Sequence, residues 1–334
     1  MDRATVVVLC RQGRASLEPH QWAPLEAAAD VRVVQRDRAP GREEAAELLA
    51  HADLLGTTNL CLPPLDADLL SRLPRLRGVV LYATGHDLLD VPLLERSGVG
   101  LSVLPEYATR AVAEHSLALL LCLATRLHLA HDRSRGLAPE GVSLRGVELA
   151  GRTLGVVGVG RIGLQTAELA KALGMRVVGY DVAATARCRA SARGVEVMDL
   201  DQLLRESDAV AVCASTTYGG TAVLGRREIG LLRPHVLLVN TARPSLVDTG
   251  AVTSALRARR LAGYAVDDTV LDRSADADLL AEGRVLQTGH SAWWRDEALA
   301  RGAQMWGDRL VAAALGHPLD AVTWPGRIAA GTPT

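Results

Sequence analysis

The chain predicts an α/β protein of two Rossmann-like, doubly wound parallel sheets with a cleft between them, and three observations carry that prediction. Short β-branched runs alternate with Ala/Leu/Glu-rich segments through the first hundred residues, one long breaker-poor segment follows, and the alternation restarts at Arg152. The length of 334 residues is about two domains at roughly 150 each, and 49% apolar composition is enough to give each a core.

In order, the first strands are expected at VVVLC (6–10), VRVVQ (31–35), DLLGT (53–57), GVVLYA (78–83) and VGLSVL (99–104), with helical patterns between most of them. One long helix is expected from Tyr107 to about His131, joining two sheets. Six further runs follow: TLGVV (153–157), RVVGY (176–180), DAVAVC (208–213), HVLLVN (235–240), LAGYAVD (261–267) and RVLQT (284–288). Six such runs make a doubly wound nucleotide-binding sheet the natural reading. From about Trp293 a long helical pattern begins, ending in a Pro/Gly-punctuated tail.

Charge and cysteine usage exclude several function classes. With 37 basic against 38 acidic residues the net is −1, so no sequence-wide positive field exists to hold nucleic acid or an anionic membrane. The N-terminus MDRATVVVLC lacks the basic-then-apolar order of a signal peptide. The longest apolar run, Leu117 to Ala124, is too short to span a bilayer, and a cytoplasmic location is expected. Five cysteines without close pairs fit neither a disulfide framework nor zinc spacing, so no metal is expected. Phe is absent and Lys occurs once, which leaves aliphatic residues and Ala to fill the cores.

The stretch GRTLGVVGVGRIGLQTAELAKALGMRVVGYD places Gly158, Gly160 and Gly163 in G-x-G-x-x-G order between an apolar strand and an amphipathic helix. One glycine permits the tight turn, one lets the backbone approach a pyrophosphate, and one lets helix and strand pack closely. Arg161 and Ile162 open the helix whose free N–H groups would face the phosphates. Asp181 ends the second strand 18 residues after Gly163, where a carboxylate accepts from ribose hydroxyls. That acid repels a 2′-phosphate and Val182-Ala183-Ala184 bring no adjacent arginine, so NAD is expected rather than NADP.

Three later segments, NTARPSLVD (240–248), LAGYAVDD (261–268) and TGHSAWW (288–294), join VAEHSLALLLCLATR (112–126) and the glycine motif. Together, in order and over nearly the whole chain, they resemble the D-isomer-specific 2-hydroxyacid dehydrogenase family. The resemblance implies a substrate domain of residues 1–104 plus 293–334, receiving the C-terminal helix back, and an NAD-binding domain inserted over 105–292. It also implies a homodimer through the nucleotide domains and a small anionic substrate, with reversible reduction of a 2-keto acid to a D-2-hydroxy acid by NADH.

Residue by residue, the resemblance makes Arg243 the clamp on the substrate carboxylate and keto oxygen, a task suited to a guanidinium fork. It makes His290 the acid/base that protonates the carbonyl oxygen, as an imidazole titrating near neutral pH can. The acid that supports this histidine falls by counting at Asp272, where the family usually has Glu; Asp268, Asp276 and Asp278 stand as substitutes if the loop is shifted. Asp267 matches the residue that binds the nicotinamide carboxamide, and Thr241, Ala242 and Ser215 fall with the cofactor. Thr84, Gly85 and His86 match the loop whose amides bind the substrate carboxylate. Trp293, three residues after His290, resembles the pocket wall of the C-terminal-binding-protein branch.

Three departures stand out: Asp272-Arg273 in place of Glu-Pro, Pro244 where Gly is typical, and Cys213 and Ser215 where His and Pro are usual. Two alternatives share the fold, a formate- or phosphite-type dehydrogenase and a non-catalytic NAD-sensing binding protein. An acid beside His290 argues against formate chemistry, whose branch places a neutral Gln there.

Overall fold

The computed structural model describes residues 3–137, 141–216, 220–317 and 319–324. Residues 217–219, in the segment expected near the adenosine, and 325–334, expected in the substrate domain, lie outside these. The chain divides into two compact units, the first comprising residues 3–108 together with the chain from 296 onward, the second residues 109–216 and 220–295.

In the first unit five parallel strands, β1 (Ala4–Cys10), β2 (Ala29–Gln35), β3 (Leu54–Thr58), β4 (Gly78–Tyr82) and β5 (Gly100–Ser102), lie in the order β2-β1-β3-β4-β5. Val6 to Cys10 are all buried, as continuous apolar runs must be in a sheet covered on both faces. One cover is the helix Asp296–Ala314. Its Trp306 is fully buried and donates Nε1–H to Val80 O at 3.0 Å. Gly56 in β3 makes room for it, since a Cβ there would lie 3.0 Å from Leu310.

The second unit holds seven parallel strands: β6 (Thr153–Val157), β7 (Arg176–Tyr180), β8 (Glu196–Val197), β9 (Ala209–Val212), β10 (Leu237–Asn240), β11 (Gly263–Val266) and β12 (Val285–Gln287). Their order is β12-β11-β10-β9-β6-β7-β8. The chain runs outward from β6 to one side and then returns to add β9 to β12 on the other, so the strand order reverses between β6 and β9. Ligands of such sheets bind at the carboxyl ends flanking that point. The six runs expected from sequence all form strands. β8 was missed, because two residues on an edge show no alternation.

The single helix expected over 107–131 is instead two, Thr109–Thr125 and Leu127–Ser134, bent by 65°. Arg126 between them has a left-handed backbone, φ 57°. The cause is competition for the carbonyls of the last turn: Val147 N–H donates to Ala124 O at 2.8 Å, and the His128 ring binds Cys122 O at 3.2 Å. Among the described residues no single helix is long and apolar enough to cross a membrane.

Candidate active site

All seven strands of the second unit are parallel, so the turns after β6, β10, β11 and β12 share one edge of the sheet, and the expected chemical residues sit on those turns. After β6, Gly158 has φ 92° and a Cβ on it would lie 2.4 Å from Ala214 Cα, beyond the end of β9. A Cβ on Gly163 would lie 2.0 Å from Gly158 O, while one on Gly160 would meet nothing within 4 Å. The turn is therefore packed tightly behind and open in front. Gly160 caps the helix Arg161–Ala172, whose first-turn amides at Arg161 and Ile162 have no acceptor within the helix. That is a cradle shaped for a pyrophosphate, and the residues present fit a dinucleotide.

Asp181, just past β7, organises the neighbouring corner. Its Oδ2 accepts from Val159 N at 2.9 Å and its Oδ1 from Ala183 N at 2.8 Å. Arg187 donates from Nη1 to the carbonyls of Asp181 and Val182, at 2.8 and 2.9 Å. Sequence adjacency did not reveal this arginine, which a helical turn returns to the acid from six residues on. Ser215 is exposed beyond β9. Desolvation pushes the nearby Cys213 thiol up to about 12, which leaves it protonated and poorly nucleophilic near neutral pH.

After β10 the buried side chain of Asn240 clasps the turn. Its Oδ1 accepts from Ala242 N at 3.0 Å and its Nδ2 donates to Arg243 O at 2.9 Å. The Thr241 hydroxyl meets that of Ser116. Arg243 is extended (φ −133°, ψ 142°), as a residue before proline must be. Pro244 opens the one-turn helix Pro244–Leu246 at its first position, where a missing N–H removes no hydrogen bond. The proline departure is thus accommodated by ordinary helix-entry geometry.

His290 follows β12 by three residues and is exposed, with φ 61° in the left-handed region. Strands β10 and β12 are separated only by β11, so the turns bearing Arg243 and His290 leave the sheet about 10 Å apart. The Trp293 indole N–H donates to His290 O at 3.1 Å and its ring stacks edge-on against Trp294, centroids 4.9 Å apart. The acid beside His290 is Asp268, whose Oδ2 lies 3.7 Å from Nδ1.

Asp272 is placed differently from the expectation. Its Oδ1 accepts from Ser274 N (2.8 Å), Ser274 Oγ (2.5 Å) and Ala275 N (2.9 Å), and this capping holds its carboxyl down at about 2. A short acid two residues before a serine hydrogen-bonds its own turn. That preference in Asp272-Arg273-Ser274-Ala275 overrides the count that pointed to it. The substitutes Asp276 and Asp278 are both paired with Arg257, at 2.8 and 3.0 Å.

Asp267 lies just past β11 and is buried. Its Oδ1 accepts from Thr288 Oγ1 (2.8 Å) and Ser291 N (2.7 Å), and its Oδ2 from Ala292 N (2.9 Å). The carboxylate therefore first holds the loop that carries His290; a carboxylate has about four acceptor sites, which leaves one for a ligand. His115, from the helix Thr109–Thr125, joins this cluster through Thr288. Its part was not foreseen, though a histidine on the buried face of an apolar helix is a signal that it has polar partners.

In the first unit, Thr84, Gly85 and His86 follow β4 at the carboxyl edge of that sheet. Thr84 Oγ1 donates to Leu104 O at 3.1 Å, and His86 O accepts from Leu89 N at 3.0 Å. Burial pushes the His86 and His115 rings below the usual 6.5. Both are kept neutral in the fold, so the stability they leave intact is full above pH 6.5 and is lost as pH falls through their lower folded-state values. The thermal midpoint is expected to drop on acidification from about pH 7 to pH 5; a flat midpoint over that range would contradict the burial of these rings.

Comparison with known proteins places the chain in a family. Residues 117–292 match the family model described as D-isomer specific 2-hydroxyacid dehydrogenase, NAD binding domain. A glyoxylate reductase from Aeropyrum pernix is 36% identical over 86% of this chain and 87% of its own. One from Pyrococcus furiosus is 32% identical over 80% of each. Among solved structures, D-lactate dehydrogenase from Aquifex aeolicus, complexed with NAD and lactic acid, superposes with a TM-score of 0.75 at 25% identity, covering 93% of this chain and 96% of that one. With the family model spanning more than half of its length and relatives aligned over most of the rest, the chain belongs to the D-isomer-specific 2-hydroxyacid dehydrogenase family and is an NAD-dependent oxidoreductase.

Proposed function

We propose that the protein reduces a small 2-keto acid of the glyoxylate or pyruvate type to the D-2-hydroxy acid with NADH. The observation that carries this reading is the common sheet edge that brings Arg243, His290 and the glycine turn together. Gly158, Gly160 and Gly163 with the first-turn amides would hold the pyrophosphate, Asp181 the ribose, and Thr241, Ala242 and Asp267 the nicotinamide end. Bound there, the cofactor supplies a hydride to the keto carbon.

The remaining work belongs to side chains. Arg243 presents paired donors to the carboxylate and draws electron density toward the keto oxygen. His290 gives its proton to that oxygen, completing the alcohol, and regains one from solvent. Asp268, its Oδ2 3.7 Å from Nδ1, is the carboxylate that faces the imidazole and would steady its orientation. Trp293, fixing the His290 carbonyl, is proposed as one wall of the pocket.

A panel of 2-keto acids followed by loss of NADH absorbance tests the reading. Glyoxylate or pyruvate is expected to be turned over, whereas activity confined to formate or phosphite with NAD, or NADH binding without oxidation, would sink it. Within the site, Asp268→Asn is expected to lower kcat about tenfold, while Asp272→Asn leaves it near wild type. The reverse ranking would restore Asp272 as the partner.

We also propose a homodimer through the second unit, in the reducing cytoplasm that five free cysteines suit. Leu121, Leu127, Leu137 and Val147 in this unit are exposed apolar side chains, which suits a face covered by a second copy. Light scattering after gel filtration would show twice the chain mass, and Leu127→Arg would shift it to the monomer.

A further inference from the structure

We propose that His115 is a positioning residue for His290, acting through Thr288 and Asp267 on the loop that carries the imidazole. The inference rests on the reading of His290 as proton donor and adds to it a four-membered polar chain inside the second unit. Arg295 Nη2 lies 3.0 Å from His115 Nδ1, and His115 Nε2 lies 3.0 Å from Thr288 Oγ1. Thr288 Oγ1 donates to Asp267 Oδ1 at 2.8 Å, and Asp267 accepts the N–H groups of Ser291 and Ala292.

The direction of the chain follows from the chemistry of its ends. A guanidinium only donates, so Nδ1 must be the acceptor and Nε2 must carry the proton. A carboxylate only accepts, so the threonine hydroxyl passes the polarity on. Every group is satisfied in this single arrangement, which requires neutral His115. The charged groups facing the ring are Arg295 at Nδ1 and Asp267, 3.7 Å from Nε2. Glu114 and Arg110, on the exposed side of the same helix, pair with each other.

What the chain secures is strained. His290 holds φ 61°, a conformation that persists in a non-glycine residue only where the surroundings over-determine it. The two amides immediately after it end on Asp267, and its own carbonyl is held by Trp293. His115 and Thr288 fix the rotamer of that carboxylate, and so fix where the imidazole points.

The test uses the full chain with glyoxylate and NADH, or pyruvate if that is the better substrate. Thr288→Val keeps the shape of the side chain but breaks the link; kcat is expected to fall about tenfold to a hundredfold with NADH affinity within about twofold, as a misplaced catalytic group gives. Thr288→Ser, which restores the hydroxyl, is expected to recover most of the rate. His115→Ala is expected to match Thr288→Val, and the double variant to be no worse than either, because one chain is broken once. His115→Leu, which fills the space but can neither donate to Thr288 nor accept from Arg295, repeats the measurement should the valine variant not fold.

If Thr288→Val and His115→Ala keep wild-type kcat and an unchanged pH profile while His290→Ala is inactive, the inference is overturned and the reading of His290 stands. A lowered thermal midpoint with kcat intact would overturn it equally. Turnover in His290→Ala within about tenfold of wild type would instead overturn the reading of the site.

Discussion

Replacing His290 with alanine is expected to lower kcat by about a hundredfold to ten-thousandfold, the range of a positioned proton donor, with NADH affinity within about twofold of wild type. The residue is exposed at the sheet edge and makes no packing contribution that the fold depends on, so the variant should melt close to wild type. Its left-handed φ of 61° sharpens the prediction. Alanine is not favoured there, but glycine is. His290→Gly should therefore be at least as stable as His290→Ala and equally inactive, which separates loss of the imidazole from loss of the loop. Stopped-flow or steady-state NADH oxidation with glyoxylate, alongside fluorescence titration of NADH, reads both quantities.

The second large effect lies at Gly160. A Cβ there meets no protein atom within 4 Å and φ is −71°, so alanine is accommodated by the fold without strain. On the proposed reading, the space it enters is the one the pyrophosphate would need. Gly160→Ala is expected to weaken NADH binding at least about a hundredfold, ~2.7 kcal/mol, with the thermal midpoint of the apoprotein unchanged. Gly163→Ala makes a contrast: its Cβ would sit 2.0 Å from a backbone oxygen, so both binding and stability should fall. Equal NADH affinity in Gly160→Ala and wild type would remove the glycine turn from the cofactor site.

What the sequence made legible follows the ranges over which its signals act. Runs such as VVVLC and TLGVV are long, β-branched and buried on both faces, and they become β1 and β6 with no competing signal. The glycine turn was readable because Gly158 and Gly163 each answer a separate steric need within a few residues. Where tertiary contacts decide, the reading failed. Nothing near Arg126 breaks the helical pattern; residues twenty positions away, at Val147, take the carbonyl that the next turn needed. Counting along the loop after β11 reached Asp272, but local hydrogen bonding to Ser274 and Ala275 ties that exposed carboxylate to its own turn, and Asp268 lies near His290.

His115 and Arg187 were illegible for a related reason. Each acts on a partner that only the fold supplies, Thr288 and Arg295 for the first, the carbonyls of Asp181 and Val182 for the second. A polar residue on an apolar helix face signals that partners exist, without naming them.

Transfer of deuterium from C4-labelled NADH to the product tests the account most directly. With glyoxylate or pyruvate, mass spectrometry should find the label on the carbon that bore the keto oxygen, transferred at least about a hundredfold more slowly in Arg243→Ala and His290→Ala than in the wild type. NADH bound at the glycine turn with no label reaching any 2-keto acid, or label transfer undiminished in both variants, would contradict it.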